Sequence, residues 1–190
     1  MAEIGSHPGA WNSFAFTGLN LSNEEATLVT MPEAGDITSV SCFVGGDPST
    51  TVTARFVIWR ASDGAILAQT GSFTLGSGAR SSGGQSWVTQ SLSLHLAAGD
   101  QVYIGWWRNP SGGAVWSLLT SGAYYRKTDT SGSPGAFTSP TTDSGGQLGA
   151  YATYTPTATT QQVYVDSTQL TTGTYVDGAQ VDDYLDSVLL

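Results

Sequence analysis

Turn-forming residues recur about every eight to twelve positions along this chain, and short runs rich in Val, Ile, Thr, Trp and Tyr separate them. Such spacing leaves little room for helices, and the first 160 residues show no helical period. The pattern therefore predicts an all-β fold, an antiparallel jelly-roll-like β-sandwich with a C-terminal repeat tail. The predicted strands are 25–31, 37–44, 51–60, 65–69, 86–94, 101–108, 115–119, 124–127 and 148–155.

The strand pattern also divides the chain into three parts. We expect an N-terminal arm over residues 1–24, the sandwich over 25–156, and a linker with repeats over 157–190. The linker expectation rests on the sequence TPTATT at 155–160, whose composition favours a semi-extended chain.

The C-terminal segment contains a sequence repeated three times, at 164–170, 175–181 and 184–190. Each copy begins Tyr, aliphatic, Asp and ends on an aliphatic residue, which suits two short strands around an Asp turn. The last copy also fits an amphipathic helix, so both interpretations stay open, with β favoured. Because so short a segment cannot bury its own apolar residues, we expect it to dock or oligomerise, as a trimer. The candidate docking residues are Tyr164, Leu170, Tyr175, Val181, Tyr184, Leu185, Val188 and Leu189.

Charge and hydropathy exclude two classes of partner. The net charge is −9 with six Lys and Arg in total, so a nucleic-acid partner is not expected. No apolar run approaches 18 residues and the N-terminus lacks a signal pattern, so we expect neither membrane insertion nor secretion. All six bases lie within 55–127, whereas both ends are acidic. This distribution favours self-association between ends and middle over binding to DNA, and chance placement of sparse charges is the alternative that stays open.

We find no catalytic motif in the sequence. The two imidazoles, His7 and His95, do not accompany a nucleophile motif or a metal-ligand spacing. The single cysteine, Cys42, shares a strand face with Val40 and Val44 and is read as a buried hydrophobe. The sequence therefore predicts a protein that is not an enzyme and has no cofactor and no metal.

Aromatic and arginine residues occur together at several strand ends, and adjacent Trp106 and Trp107 cannot both enter one core. Three interpretations stay open: core aromatics with a capping Arg, a glycan platform, or a protein interface. The candidate glycan or interface surface comprises Trp59, Arg60, Trp107, Arg108, Asn109, Tyr125 and Arg126.

The sequences ITSVSCFVGG (37–46), VTARFVIWRASDGAILAQT (52–70), SWVTQSLSLHLAAGDQVYIGWW (86–107) and LGAYATYTPT (148–157) together resemble the jelly-roll module of minor tail proteins from phages of actinobacteria. The resemblance covers 25–155. It implies a structural virion protein, made in the bacterial cytoplasm, whose partners are its own copies, other virion proteins and a host cell-wall glycan. A capsid decoration protein and a carbohydrate-binding adhesin are the alternatives it leaves open.

Overall fold

A computed structural model describes residues 1–6, 15–16, 23–46, 52–75, 86–109, 115–120, 122–128, 131–144, 147–157, 162–165 and 168–171. The chain forms two compact units, Met1–Pro156 and Thr157–Leu190, and the boundary falls where the sequence predicts the linker to begin. The described residues of the first unit form two antiparallel sheets of seven strands each.

The strands of sheet I are β1 (Ala2–Gly5), β2 (Ala15–Phe16), β4 (Gly35–Gly46), β8 (Ser86–Leu96), β10 (Val115–Thr120), β13 (Gln147–Leu148) and β14 (Ala150–Pro156). The sheet is built around β4, the longest strand of the described chain. One edge of β4 pairs with β8, and the other pairs with β14 and then β10.

Sheet II has the order β12-β11-β3-β9-β5-β6, and β7 also pairs with β5. Its strands are β3 (Glu24–Thr30), β5 (Val52–Arg60), β6 (Ile66–Gln69), β7 (Phe73–Leu75), β9 (Gln101–Arg108), β11 (Tyr124–Lys127) and β12 (Thr141–Asp143). All nine strands expected from the sequence are present, with ends shifted by at most two residues, and the last is interrupted at Gly149.

One hydrophobic core lies between the two sheets, which makes the unit a β-sandwich. Sheet I contributes Val40, Cys42 and Val44 from β4, and sheet II contributes alternate residues of β5 and β9. The period of two along each strand therefore assigned these faces correctly. Cys42 is fully buried, and burial raises the pKa of its thiol well above the usual value, as suits a structural cysteine.

The N-terminal residues differ from the arm expected over 1–24. Ala2–Gly5 form β1, which pairs with β14 in a register that sets Ala2 opposite Tyr154. Ile4 is buried in the core, so hydrophobic burial holds this segment against sheet I. A four-residue strand with one apolar core residue is too short to show a sequence period. The expected arm is therefore wrong for these residues, and 7–14 and 17–22 lie outside the described part.

The second unit contains a hairpin of β15 (Gln162–Val165) and β16 (Thr168–Thr171), which pair antiparallel with Val165 opposite Thr168. These strands flank positions 166 and 167, so the first repeat copy has the two-strand form expected for it. The copies at 175–181 and 184–190 lie outside the described residues.

Candidate functional site

Trp59 and Trp107, which the sequence placed on a candidate surface, are buried. Their exposed fractions are 0% and 2%, and both belong to a second, smaller core on the outer face of sheet II. Trp106 enters the main core instead, so the adjacent tryptophans do serve two different surfaces. The expectation that Trp59 and Trp107 contact a glycan or a neighbouring chain is wrong for the folded unit, because this chain itself covers them.

The covering element is residues 131–140, here named the cover segment. Its Phe137 is 1% exposed and stacks on Trp59, with ring centroids 4.8 Å apart, while the Tyr103 ring meets it edge-on at 5.2 Å. From the sequence alone, the low-complexity stretch 128–146 predicts a surface connection. Phe137 is the single large apolar side chain in a stretch rich in Gly, Ser and Pro, so the sequence shows no period that predicts its packing.

Hydrogen bonds fix the cover segment on sheet II. The Trp59 indole Nε1 donates to the Gly135 carbonyl at 2.9 Å, and the Gly135 amide donates to Glu24 Oε1 at 3.2 Å. The Phe137 amide donates to the Gly64 carbonyl at 2.8 Å. Gly64 has φ of +71°, and a Cβ there would lie 2.5 Å from the Phe137 carbonyl carbon, so this turn requires glycine.

Arg108 is also buried, at 5% exposed, which corrects its assignment to an accessible surface. Burial lowers the pKa of its guanidinium, and the nearby Glu25 carboxylate opposes that shift. Glu24 and Glu25 are themselves 0% and 2% exposed. Sequence reasoning missed these two acids, because carboxylates at the start of a strand are normally solvated and no sequence period indicates their burial.

The remaining predicted residues lie apart from one another. Arg60 is exposed and its Nη1 donates to Asp63 Oδ2 at 3.0 Å. Tyr125 is half-buried with its ring 4.9 Å from that of Tyr103, and Arg126 Nε lies 3.8 Å from Asp143 Oδ2. Asn109 is half-buried, and its backbone N–H donates a hydrogen bond to the Thr53 carbonyl at 2.9 Å. The structure thus does not bring the seven predicted residues into one exposed surface.

A groove of about 650 Å³ opens at one end of the sandwich. It is lined by Leu67 of β6, Leu94 and Leu96 of β8, Tyr103 of β9, and the polar side chains of Arg60 and Asp100. Both charged side chains already have partners: Arg60 forms an ion pair with Asp63, and Asp100 Oδ2 accepts a hydrogen bond from the backbone amide of Ala97 at 2.8 Å. The groove therefore favours an uncharged, partly apolar occupant.

A half-buried aromatic cluster lies on the outer face of sheet I and was not among the predicted site residues. Trp87 contacts Phe43 at 5.5 Å and Tyr151 at 5.0 Å between ring centroids. Beside it, the hydroxyls of Ser41 and Thr89 form a 2.8 Å hydrogen bond. The period of two along 86–94 places Trp87 on the face opposite that of Val88, and this is the signal that the sequence offers for the cluster.

The candidate docking residues fall mostly beyond the described part. Tyr164 lies opposite Gln169 and Leu170 opposite Val163 in the β15–β16 hairpin. The other six candidates, from Tyr175 to Leu189, are outside the described residues.

Within the described residues, no group of three or more His, Cys, Asp and Glu is placed to hold a metal ion. The same residues include no helix long and apolar enough to cross a bilayer. No known family model matches the chain, and no curated protein matches its sequence.

Proposed function

We propose that this chain is a structural virion protein of a tailed bacteriophage, a minor tail or tail-tip or fibre protein that mediates assembly. The proposal assigns it no catalytic step, no cofactor and no nucleic-acid partner. The four sequences that resemble the phage module lie within 37–157, and they supply most of β4, β5, β8, β9 and β14 of the sandwich.

The single observation that carries the proposal is the division of the chain into two compact units. The sandwich has its own core, whereas the described part of the second unit is a lone two-stranded hairpin. An isolated hairpin is marginally stable in water, so its repeats gain stability by packing against other chains. A repeated, acidic segment of this kind suits assembly better than a free binding module.

The jelly-roll winding belongs to the same proposal. The chain crosses repeatedly between the sheets: β3 lies in sheet II, β4 in sheet I, β5 to β7 in sheet II, and β8 in sheet I. Strands β9, β10 and β11 continue the alternation. Alternation of this kind is typical of jelly rolls and supports that description.

We further propose that the chain self-associates as a trimer through residues 161–190. Multi-angle light scattering of the full chain at tens of micromolar measures this directly. Three times the 19.7 kDa chain mass is expected, and a monomer with a protease-resistant C-terminal segment would overturn the trimer.

Purified particles test the location. An antibody against the sandwich, detected by gold labelling in electron microscopy, should mark the tail. Labelling of the head would instead support the alternative of a capsid decoration protein. Particles that lack the chain altogether, by mass spectrometry, would overturn the structural role.

A glycan-binding adhesin is a second candidate function, and the Trp87 cluster favours it. Aromatic rings beside hydroxyl groups suit the apolar face and the hydroxyls of a sugar ring. Pull-down on isolated host cell wall tests this, with Trp87→Ala compared with Thr155→Ala on the same sheet. Equal retention of both variants would argue against a glycan site here.

A further inference from the structure

The outer face of sheet I carries small hydroxyl side chains beside the Trp87 cluster. Every second residue of β8 from Trp87 to Ser91 lies on this face, because the ladder of β8 with β4 is regular there. We define the hydroxyl face by residues of three neighbouring strands: Trp87, Thr89 and Ser91 of β8, Ser41 and Ser39 of β4, and Thr153 of β14. Thr89 and Ser91 are exposed, and Trp87 is half-buried. The hydroxyl face therefore presents an aromatic ring and hydroxyl groups to solvent.

The strand register sets these hydroxyls side by side across the sheet. Ser39 of β4 has Ser91 of β8 on one side and Thr153 of β14 on the other. In the next row, the hydroxyls of Ser41 and Thr89 form the 2.8 Å hydrogen bond described above. Directly opposite residues of antiparallel strands have Cβ atoms about 5 Å apart. Successive rows on one face are about 7 Å apart along the strands, so the hydroxyl rows extend the surface beyond the Trp87 ring.

The strands that form this part of sheet I carry few charges. Strands β1, β14, β4 and β8 contain no Lys or Arg. Their acidic and imidazole side chains are Glu3, Asp36 and His95, and the last two contact each other at 2.8 Å. None of the three belongs to the hydroxyl face. A charged ligand would lose water from its ionic groups here without meeting an opposite charge on the hydroxyl face, whereas an uncharged ligand avoids that cost.

We propose that the hydroxyl face binds an uncharged glycan chain longer than one sugar unit. The apolar face of one sugar ring packs on the Trp87 indole. The chain continues over the hydroxyl rows, where Thr89 and Ser91 exchange hydrogen bonds with the hydroxyls of the following units. This inference rests on the adhesin candidate and deepens it, because it names the charge class of the ligand and extends the site beyond the aromatic cluster.

Opposite charges placed at one position test the charge class of the ligand. Retention on isolated host cell wall is measured by pull-down for the full chain with S91E and with S91K. For an uncharged glycan both variants should lower retention, because either charge must lose water beneath the bound chain. The matched controls T138E and T138K change an exposed hydroxyl residue of the cover segment and should bind as the wild type does. Opposite effects of S91E and S91K would indicate a charged glycan and would overturn the proposal.

Removal of one hydroxyl tests the hydrogen bonds. T89V keeps the branched shape of the side chain and removes its hydroxyl, and we expect retention to fall about fivefold, the loss typical of one hydrogen bond. T138V is the matched control and should have no effect. Added NaCl should leave wild-type retention unchanged, because salt screens contacts between charges only. A steep loss of retention with salt would count against an uncharged ligand. Urea denaturation of each variant verifies that its fold is intact.

The outcomes separate this inference from the functions on which it rests. If the wild-type chain is not retained on host cell wall, the adhesin candidate fails and the inference fails with it. If Trp87→Ala loses retention while T89V, S91E and S91K bind as the wild type does, the adhesin candidate stands and the hydroxyl face is excluded from the site. Incorporation of the chain into particles is measured in parallel, and it reports on the structural role independently of both results.

Discussion

The ring of Phe137 stacks on the indole of Trp59 with centroids 4.8 Å apart and planes inclined by 27°. This pair joins the cover segment to sheet II and gives the sandwich a second apolar layer outside the main core. The part of the outer face of sheet II that holds Trp59 and Trp107 is therefore buried, and these tryptophans contribute to stability.

Phe137→Ala should lower the free energy of unfolding by about 3 kcal/mol, because it removes a buried aromatic ring and leaves a cavity against Trp59. Urea denaturation measures the loss. The exposed neighbour substitution Thr138→Ala should change stability by less than about 0.5 kcal/mol. Equal, small effects of both changes would mean that the cover segment does not pack as described.

Substituting three glycines by Ala distinguishes the cost of a strained backbone φ from the cost of a steric clash at the new Cβ. Gly132 has open space and no positive φ, Gly99 has φ of +85° with open space, and Gly64 combines φ of +71° with a contact at 2.5 Å. Replacement by Ala should therefore be nearly neutral at Gly132, cost about 1 kcal/mol at Gly99, and cost more at Gly64. Thermal melting ranks the three variants, and a different order would contradict the Gly64–Phe137 contact.

Trp107→Ala and Trp87→Ala should differ in how much they lower stability and in whether they change glycan binding. The first removes a side chain that is 2% exposed and should cost about 3 kcal/mol of stability. The second alters a half-buried cluster and should cost less, while it reduces retention on host glycan if the adhesin role holds. Denaturation and pull-down on the same preparations separate the effects. A destabilised Trp87→Ala beside a stable Trp107→Ala would reverse the assignment of the two surfaces.

Stability should fall at alkaline pH through Tyr124. Burial, followed by the Glu25 and Asp143 carboxylates, raises the pKa of its phenol well above the ordinary 10.0. Above pH 10 the unfolded chain loses this proton while the folded chain keeps it, so the unfolded state binds fewer protons and stability decreases as pH rises. Below pH 10 the contribution is fully present.

Denaturation midpoints between pH 8 and 11.5 measure this slope. Tyr124→Phe should flatten it, and Tyr125→Phe, in the same strand but half-buried, is the matched control. An unchanged slope in Tyr124→Phe would assign the alkaline loss to other groups.

Deleting residues 161–190 should leave the sandwich folded and block incorporation into particles, because the deletion removes part of a separate compact unit and no strand of either seven-stranded sheet. A 1–156 chain should keep one cooperative thermal transition. Loss of that transition would show that the C-terminal segment stabilises the sandwich.

The strand pattern predicted the sandwich well because every second residue of the long strands is apolar and faces the core, as in Val52, Ala54, Phe56 and Ile58. The same pattern could not predict that the side chains of Trp59 and Trp107 are buried. The side of a strand opposite the core is normally solvated, and only the chain distant in sequence at Phe137 converts it to interior. The same limit applies to β1, whose place depends on pairing with a strand near residue 154.

The pairing of β1 with β14 also sets the order in which the sandwich can be completed. Ala2 of β1 lies opposite Tyr154 of β14. Strand β1 is therefore synthesised first but can pair only after nearly all of the unit has been synthesised. Strand β14 also supplies a central part of sheet I, between β1 and β4. Contacts this distant in sequence slow folding. A ribosome-bound chain that ends before residue 150 therefore leaves one flank of β4 without its main partner, and completion of the sheet must follow the synthesis of β14.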